Sequence, residues 1–385
     1  MTICASRGPW RGTVRGATLL VAAAGIAAPV AAQDLAAERR RVLTVTGSVN
    51  EVDLPLQPLE EGPGLVFVRD VTEPQALGLR LRFAVEEEAG NAGSWGVQVK
   101  DAAGRPVWSA WGGAVAGAEL WSDDVDGRRA TVEVYSSRRA NPVRLRIDRV
   151  AVRKEKITPL SITGQNHLVP ISGQDDWIVD SGRSVARLRF VGDDGGSYVC
   201  TAFLVTPDLM LTNQHCIASP AELASTLVDF DFDSATATPR TLRLRELLRT
   251  NEALDYSLVR LEEAVDRPPL SLDSSSPPDR EQLLIVQHPG GEPKQVSLRE
   301  CTVDGALVEG RRDPDTDFGH QCDTKGGSSG SPVFRFSTKT VVGLHHLGFD
   351  PDGESLFNRA VHIEQVMADL SPSLRVEVEA GQPVP

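Results

Sequence analysis

Three short blocks of the sequence carry the residue types that acyl transfer from an amide requires. "LTNQHC" places His215 after a short apolar stretch, "LDYSLVRL" places Asp255 at the head of another, and "GGSSGSP" places Ser329 among glycines. A serine attacks a carbonyl when a neighbouring base removes its proton and a carboxylate orients that base. Hydrogen-bond donors must also stabilise the oxyanion that forms. In this chain order, the three residues can supply a base, an orienting acid and a nucleophile.

A second serine in the same block, Ser328, offers a rival interpretation. Residues 326–330 also fit the G-x-S-x-G pattern of the α/β hydrolases, in which the middle serine is the nucleophile. That pattern needs a helix directly after the serine and the chain order Ser, Asp, His. Here Pro332 and the strand-like "VFRF" follow, and the His and Asp candidates precede the serine. The surrounding sequence therefore favours Ser329 over Ser328.

Three aspartates in the stretch "VDFDFD", residues 228–233, compete with Asp255 for the role of orienting acid. They alternate with apolar residues, which is the pattern of a strand with one apolar and one solvated face. Asp255 stands instead at the head of the strand-like "YSLVRL". We therefore predict that Asp255 orients His215 and that the competitors face solvent; they are Asp229, Asp231 and Asp233.

The elements that must position these residues are short strands separated by long loops. Beyond about residue 160, "TAFLVT", "LMLTN", "QLLIVQH" and "TVVGLHH" are apolar runs of strand length. Only "SPAELASTL" and "VHIEQVMADL" have helical spacing. This pattern indicates an all-β domain that ends in a helix.

The chain of 385 residues is long enough for two domains, each with its own core. From about residue 42 to residue 152, stretches such as "LRLRFAV" and "ATVEVY" alternate apolar with polar residues. We predict an antiparallel β-sandwich within residues 33–155, which serves as a pro-region or as a targeting domain. Residues 156–375 are predicted to form the second domain, and residues 376–385 a C-terminal tail.

Together, "LTNQHC", "DYSLVRL" and "GSSGSP" resemble the signature blocks of the chymotrypsin-like serine endopeptidases, over roughly residues 160–370. The nearer resemblance is to bacterial trypsin-like enzymes and glutamyl endopeptidases. It implies a chymotrypsin-like double β-barrel with His215, Asp255 and Ser329 in the cleft between the barrels. It also implies an oxyanion hole made by the backbone N–H groups of Gly327 and Ser329. The implied activity is the hydrolysis of peptide bonds in proteins or peptides, through an acyl-enzyme.

The resemblance gives two opposed predictions for the primary specificity pocket. Asp323 lies six residues before Ser329, where trypsin-type enzymes hold a carboxylate that binds Arg or Lys. Thr324 and His345 match positions at which glutamyl endopeptidases bind a substrate carboxylate. A buried carboxylate suits a guanidinium, whereas a protonatable imidazole suits an acidic side chain. The pocket candidates are therefore Asp323, Thr324 and His345, and both basic and acidic P1 residues remain open.

The cysteines indicate two disulfides. One of the five cysteines, Cys4, lies in the leader described below, and the others follow residue 199. An even set in an exported chain is typical of disulfides. Four cysteines allow three pairings, of which we favour the two local ones, Cys200–Cys216 and Cys301–Cys322.

The sequence predicts no metal site and no cofactor. The CxxC spacing of structural zinc sites is missing. His345 and His346 are adjacent, and neighbouring residues of a strand point to opposite faces, so the two rings do not easily ligate one ion. At most one of them is expected to enter the substrate pocket.

Residues 1–32 are predicted to be a signal peptide. Three arginines precede the apolar run from Ala17 to Ala28, and the small residues at 30–32 suit a signal peptidase. The run is shorter than the about 20 residues that a membrane span needs. We therefore expect an exported protein, secreted or periplasmic, without a membrane span after signal cleavage; the alternative is an uncleaved anchor.

The remaining partner predictions concern charge and the tryptophans of the first domain. A net charge of -13 argues against a nucleic-acid partner, because no broad basic face is available to neutralise phosphates. A carbohydrate or cell-surface ligand is one interpretation of the tryptophans, and burial in the core is the other. The alternative function is a catalytically inactive protease fold that binds through the β-sandwich. The tryptophans are Trp95, Trp108, Trp111 and Trp121.

Overall fold

The computed structural model describes residues 43–56, 63–86, 95–112, 120–137, 144–158, 160–162, 164–348 and 357–382. The predicted signal peptide, residues 1–32, lies outside them. No helix within these ranges is long and apolar enough to cross a bilayer. The architecture is all-β, with a β-sandwich followed by two β-barrels, as predicted.

Among the described residues, nine strands build the N-terminal sandwich. One sheet has the order β1-β9-β3-β6, with β7 also on β3, and the other has the order β2-β8-β4-β5; all pairs are antiparallel. The inner faces alternate as predicted: in "RATVEVYS" every second side chain is buried. The strands are β1 (Thr44–Leu56), β2 (Gly64–Thr72), β3 (Gly78–Glu86), β4 (Trp95–Lys100), β5 (Pro106–Trp111), β6 (Leu120–Trp121), β7 (Val125–Asp126), β8 (Arg129–Ser136) and β9 (Arg144–Ile157).

The tryptophans of the sandwich do not form a common surface. Trp95 and Trp121 are buried, and the half-buried Trp108 stacks on Phe83. Only Trp111 of these four is exposed. Burial in the core, the second of the two interpretations, therefore accounts for most of them.

The first barrel is closed because β12 pairs with both β13 and β15. The remaining pairs run from β15 through β16, β17 and β14 back to β13. Leu188, Phe230 and Val259 are among the apolar side chains that fill its interior. Its elements, with those that lead into it, are β10 (Leu160–Ser161), β11 (Val169–Pro170), α1 (Asp176–Gly182), β12 (Val185–Val191), β13 (Gly196–Leu204), β14 (Leu209–Thr212), α2 (Pro220–Ser225), β15 (Leu227–Phe230), β16 (Arg240–Asn251) and β17 (Tyr256–Leu261).

The second barrel has the strand order β11-β19-β18-β22-β23-β24-β20. Bridges from Thr302 to Gln282 and from Val303 to His320 link the region of β18 to β20 and close it. Its elements are β18 (Leu283–Gln287), a 3₁₀ turn (Pro289–Gly291), β19 (Gln295–Ser297), β20 (Asp317–His320), β21 (Thr324–Lys325), β22 (Pro332–Arg335), β23 (Thr340–Leu347), β24 (Asn358–His362), α3 (Ile363–Asp369) and α4 (Pro372–Gly381).

Helix α4 covers the end of the described chain. Ser371 caps its N-terminus by accepting the N–H of Leu374, and Pro372 occupies the first turn, where a missing N–H costs nothing. Val378 is buried in the core shared by the barrels. The predicted boundary between residues 375 and 376 therefore lies inside this helix.

Strand β1 belongs to the sandwich and to the first barrel at once. Its start pairs with β13, from Thr44 opposite Val199 to Ser48 opposite Gly196, and its remainder pairs with β9. Leu43, just before β1, is buried in the core of the first barrel. The sandwich is thus joined to the barrel by backbone hydrogen bonds.

Candidate active site

His215 and Asp255 are held together by two hydrogen bonds. The Nδ1 atom of His215 lies 2.7 Å from Oδ2 of Asp255, and the backbone N–H of His215 donates to Oδ1 at 3.0 Å. His215 follows β14, and Asp255 stands at the head of β17, which pairs with β14. Because a carboxylate only accepts, Nδ1 must carry the proton, and Nε2 is the basic nitrogen. This is the tautomer that a general base requires.

The turns on both sides of this contact are fixed locally. Asp255 adopts a left-handed backbone conformation with φ 50°, and its carbonyl accepts a hydrogen bond from the amide of Asn213 at 2.9 Å. The disulfide Cys200–Cys216 ties the loop of His215 to β13. The second disulfide joins Cys301 to Cys322. The two favoured local pairings are thus confirmed.

The carboxyl of Asp255 stays ionised although it is fully buried. Burial alone favours the protonated form, but His215, His346 and Arg311 outweigh it and hold the pKa of Asp255 well below its usual range. Arg311 Nη1 lies 3.0 Å from Oδ1 of Asp255. The imidazole of His215 therefore faces a permanent negative charge.

The three aspartates that compete with Asp255 for the orienting role form ion pairs elsewhere. Asp231 pairs with Arg267, and Asp233 with Lys294. Asp229 is fully buried, which contradicts the prediction that it faces solvent. Its carboxylate accepts from Arg187 and Arg189, at 2.8 and 2.6 Å, so paired arginines cover the face that the alternating pattern assigned to water.

Ser328 and Ser329 have different surroundings. The Ser328 hydroxyl is fully buried and accepts the N–H of Lys325 at 3.2 Å, inside its own loop. The carbonyl of Ser329 accepts the N–H of Thr201 at 2.8 Å, next to the disulfide that carries the His215 loop. A strand, β22, follows the two serines, so the strand-to-helix turn of an α/β hydrolase is not formed.

Two backbone N–H groups beside Gly327 could serve as hydrogen-bond donors to a substrate. Within the described ranges, no group accepts a hydrogen bond from the N–H of Gly327 or of Ser329. Gly327 has φ 96°, and a Cβ there would come within 2.9 Å of the His288 carbonyl oxygen. The Gly327 carbonyl is fixed by the hydroxyl of Thr201 at 2.8 Å. Only glycine fits this conformation without strain.

The pocket candidates Asp323, Thr324 and His345 are all buried. The Asp323 carboxylate accepts the backbone N–H of His167 at 2.7 Å. Thr324 pairs with Ser161 in the short two-stranded sheet formed by β10 and β21. His345 Nδ1 lies 3.2 Å from Nε2 of His320, and burial, with its histidine neighbours, holds the pKa of His345 well below its ordinary value.

The sequence analysis assigned no role beside Asp255 to three residues that contact it directly or through one another: Arg311, His346 and Asp317. His346 Nδ1 lies 3.2 Å from Oδ2 of Asp255, and its Nε2 lies 2.6 Å from Oδ2 of Asp317. His345 and His346 thus have different partners, as expected of adjacent strand residues. The pair of histidines was a visible signal, but nothing in the spacing linked either of them to Asp317 or Asp255.

One cluster has the atom types of a metal site: the sulfurs of Cys200 and Cys216 and a ring nitrogen of His215 lie within 4.8 Å of one another. The two sulfurs are bonded to each other, and Nδ1 of His215 is engaged by Asp255. Disulfide sulfurs offer no thiolate to a cation. This cluster is therefore explained by the disulfide and by the His–Asp contact.

The part of the chain that carries His215, Asp255 and Ser329 is similar to a known family. Residues 200–344 match the family described as a trypsin-like peptidase domain. This segment of the chain is therefore similar to trypsin-like peptidase domains. The predicted resemblance to trypsin-like serine endopeptidases is thereby confirmed, whereas a nearer resemblance to glutamyl endopeptidases stays a prediction.

Individual relatives cover part of the chain. The secreted RxLR effector protein 73 of Plasmopara viticola is 31% identical over 186 residues, which are 44% of this chain and 46% of that protein. The uncharacterized protein y4fB of Sinorhizobium fredii is 32% identical over 211 residues, 49% of this chain and 31% of that protein. The chain thus spans less than half the length of either. The solved structure of Rv3671c from M. tuberculosis, in its inactive form, has a TM-score of 0.41 at 17% identity, covering 59% of this chain and 100% of that one.

Proposed function

We propose that the protein is an exported serine endopeptidase that hydrolyses peptide bonds through an acyl-enzyme. Ser329 is the nucleophile, His215 the general base and Asp255 the residue that orients His215. The observation that carries the proposal is the pair of hydrogen bonds between His215 and Asp255, inside the segment that matches a trypsin-like peptidase domain.

The chemistry follows from the proton positions. Asp255 keeps the proton of His215 on Nδ1, so Nε2 takes the proton of the Ser329 hydroxyl as its oxygen attacks the substrate carbonyl. The oxyanion is received by the N–H groups of Gly327 and Ser329, which no described protein group occupies. His215 then returns the proton to the leaving amine. In the second half of the reaction, His215 takes a proton from a water molecule as the water attacks the acyl group. It then returns the proton to the Ser329 oxygen, and the acid product leaves.

Export is supported by the two disulfides. Such bonds form and persist in oxidising compartments, and each of the two closes a loop inside the peptidase domain. The predicted signal peptide is a second argument for export, and it comes from the sequence alone. Secretion and a periplasmic location are both consistent with it.

The inactive binding protein is not favoured as an alternative. The complete set of His215, Asp255 and Ser329 is present, and His215 is already oriented by Asp255. Most tryptophans of the sandwich pack inside it, which removes the aromatic surface that a carbohydrate ligand would use. Trp111 alone offers an exposed ring of the four.

Hydrolysis of an unstructured protein substrate tests the proposal. The wild-type protein should cleave it, Ser329→Ala should lower kcat by about 10⁶-fold, and Ser328→Ala should retain a substantial part of the activity. Ser328→Ala is the matched control, because it removes the neighbouring hydroxyl from the same loop. Activity that survives Ser329→Ala, or an inactive wild type with a folded spectrum, would refute the proposal.

A further inference from the structure

His346 is buried between two carboxylates. It lies in β23 with 1% of its surface exposed, and its two ring nitrogens approach Asp255 and Asp317 at 3.2 and 2.6 Å. Both carboxylates are also buried. Because an ionised carboxylate only accepts hydrogen bonds, a ring that bonds to both must carry a proton on each nitrogen. The geometry thus requires an imidazolium at His346.

The charges around this ring balance. Asp255 and Asp317 carry two negative charges, and His346 and Arg311 carry two positive ones, all with side chains at most 8% exposed. The other titratable rings nearby, His320, His345 and His362, are pushed towards their neutral forms, chiefly by burial. Although burial opposes the charge, Asp317 and Asp255 raise the pKa of His346 to about 9.

We propose that His346 and Asp317 are positioning residues of the active site, which fix the Asp255 carboxylate against His215 through a buried imidazolium. This inference rests on the proposed function. Oδ2 of Asp255 is shared by His215 and His346, and Oδ1 by the His215 amide and Arg311. With both oxygens engaged on two sides, the carboxylate cannot rotate away from the imidazole of His215. Asp317 in turn fixes His346.

The arrangement also sets the charge that His215 experiences. A cation on the far side of Asp255 reduces the net negative charge facing the catalytic ring. Removing that cation therefore strengthens the negative field at the catalytic ring. The protonated ring cannot accept the proton of Ser329, so the acid limb of the kcat/KM profile should move to higher pH.

Two variants separate charge from position. His346→Gln removes the cation and the fixed ring; we expect kcat to fall by about 10²-fold, KM to change little and the acid limb to move upward. Asp317→Asn keeps the shape but removes the counter-ion that keeps His346 charged, so the imidazolium beside Asp255 is depleted and the same limb should move upward with a smaller loss of kcat. His362→Gln is the control, since His362 is a buried histidine of the adjacent strand β24 and bonds to the Ala306 carbonyl. It should change stability without moving the limb.

An activity-independent measurement keeps this inference apart from the proposed function. In the NMR spectrum of Ser329→Ala, the ring of His346 should carry both protons at pH 7, and Asp317→Asn should deplete that form. Unchanged pH limbs and kcat in His346→Gln and Asp317→Asn, at full folding, would overturn the positioning role. So would a neutral His346 ring at pH 7. An inactive wild type with a doubly protonated His346 would instead refute only the proposed function.

Discussion

Thr44 donates a hydrogen bond of 2.7 Å from its hydroxyl to the carbonyl oxygen of Gly326, across 282 residues of sequence. Gly326 directly precedes Gly327, whose N–H is proposed to bind the oxyanion. The same carbonyl accepts the N–H of Gly290 at 2.7 Å. The first strand of the sandwich therefore reaches the loop of the proposed nucleophile. This contact joins the N-terminal domain to the loop that carries the proposed oxyanion-binding N–H groups.

Thr44→Val should loosen that loop without removing its second donor, Gly290. We expect kcat to fall by about 10-fold and unfolding stability to fall by about 1 kcal/mol, the usual net worth of one hydrogen bond. Thr46→Val is the matched control, because Thr46 lies two residues along β1. Steady-state kinetics with one peptide substrate measures the effect. Equal kcat values for the two variants would show that the Thr44–Gly326 bond does not matter for turnover.

The sandwich should stay bound when the chain between it and the first barrel is cut. The pairing of Thr44–Ser48 with β13 and the burial of Leu43 hold it on the first barrel independently of the covalent connection. We expect a protein nicked at an engineered site near residue 163 to elute as one species in gel filtration and to retain activity. Separation of the fragments with full activity in the C-terminal one would favour a removable pro-region.

Asp323 should have a structural effect rather than select basic P1 residues, because its carboxylate is engaged by the backbone N–H of His167. Asp323→Asn should therefore lower the melting temperature while it leaves the ratio of kcat/KM for Arg and Ala at P1 nearly unchanged. Matched peptide substrates that differ only at P1 measure this ratio. A strong preference of the wild type for Arg, lost in Asp323→Asn, would assign the carboxylate to the pocket floor.

Asp229 should make the first barrel sensitive to acid. Burial opposes its ionisation, but Arg189 and Arg187 hold its pKa well below the ordinary value. A carboxyl with a lowered pKa in the folded state stabilises the fold above its unfolded pKa, and this stabilisation is lost as the pH falls further. Urea unfolding between pH 7 and pH 3 should show a smaller loss of stability in Asp229→Asn than in the wild type. Parallel curves for the two proteins would exclude this role.

Local signals account for the part of the site that could be predicted. His215, Asp255 and Ser329 each lie in a short block of recognisable spacing. Alternation of apolar and polar residues indicated β-structure in the first half of the chain, and short apolar runs indicated it in the second half. The disulfides also close short loops, with sequence separations of 16 and 21 residues. Such features depend on neighbours along the chain, so the sequence contains them directly.

The remaining features depend on contacts between distant segments. Alternation in "VDFDFD" predicts a strand but does not tell whether water or the paired arginines cover Asp229. Asp317 and Asp255 meet His346 only because β20, β23 and the head of β17 converge. The contact of Thr44 with Gly326 likewise depends on how the sandwich docks on the barrel. Local pattern holds no information on these three contacts.

The most direct test of the account is the site of covalent modification by a fluorophosphonate. This reagent captures a serine only where a base and an oxyanion hole activate it, and peptide mapping by mass spectrometry identifies the residue. We expect one adduct, on Ser329, that disappears in His215→Ala and persists in Ser328→Ala. An adduct on Ser328, or labelling of Ser329 at the same rate in His215→Ala, would contradict it.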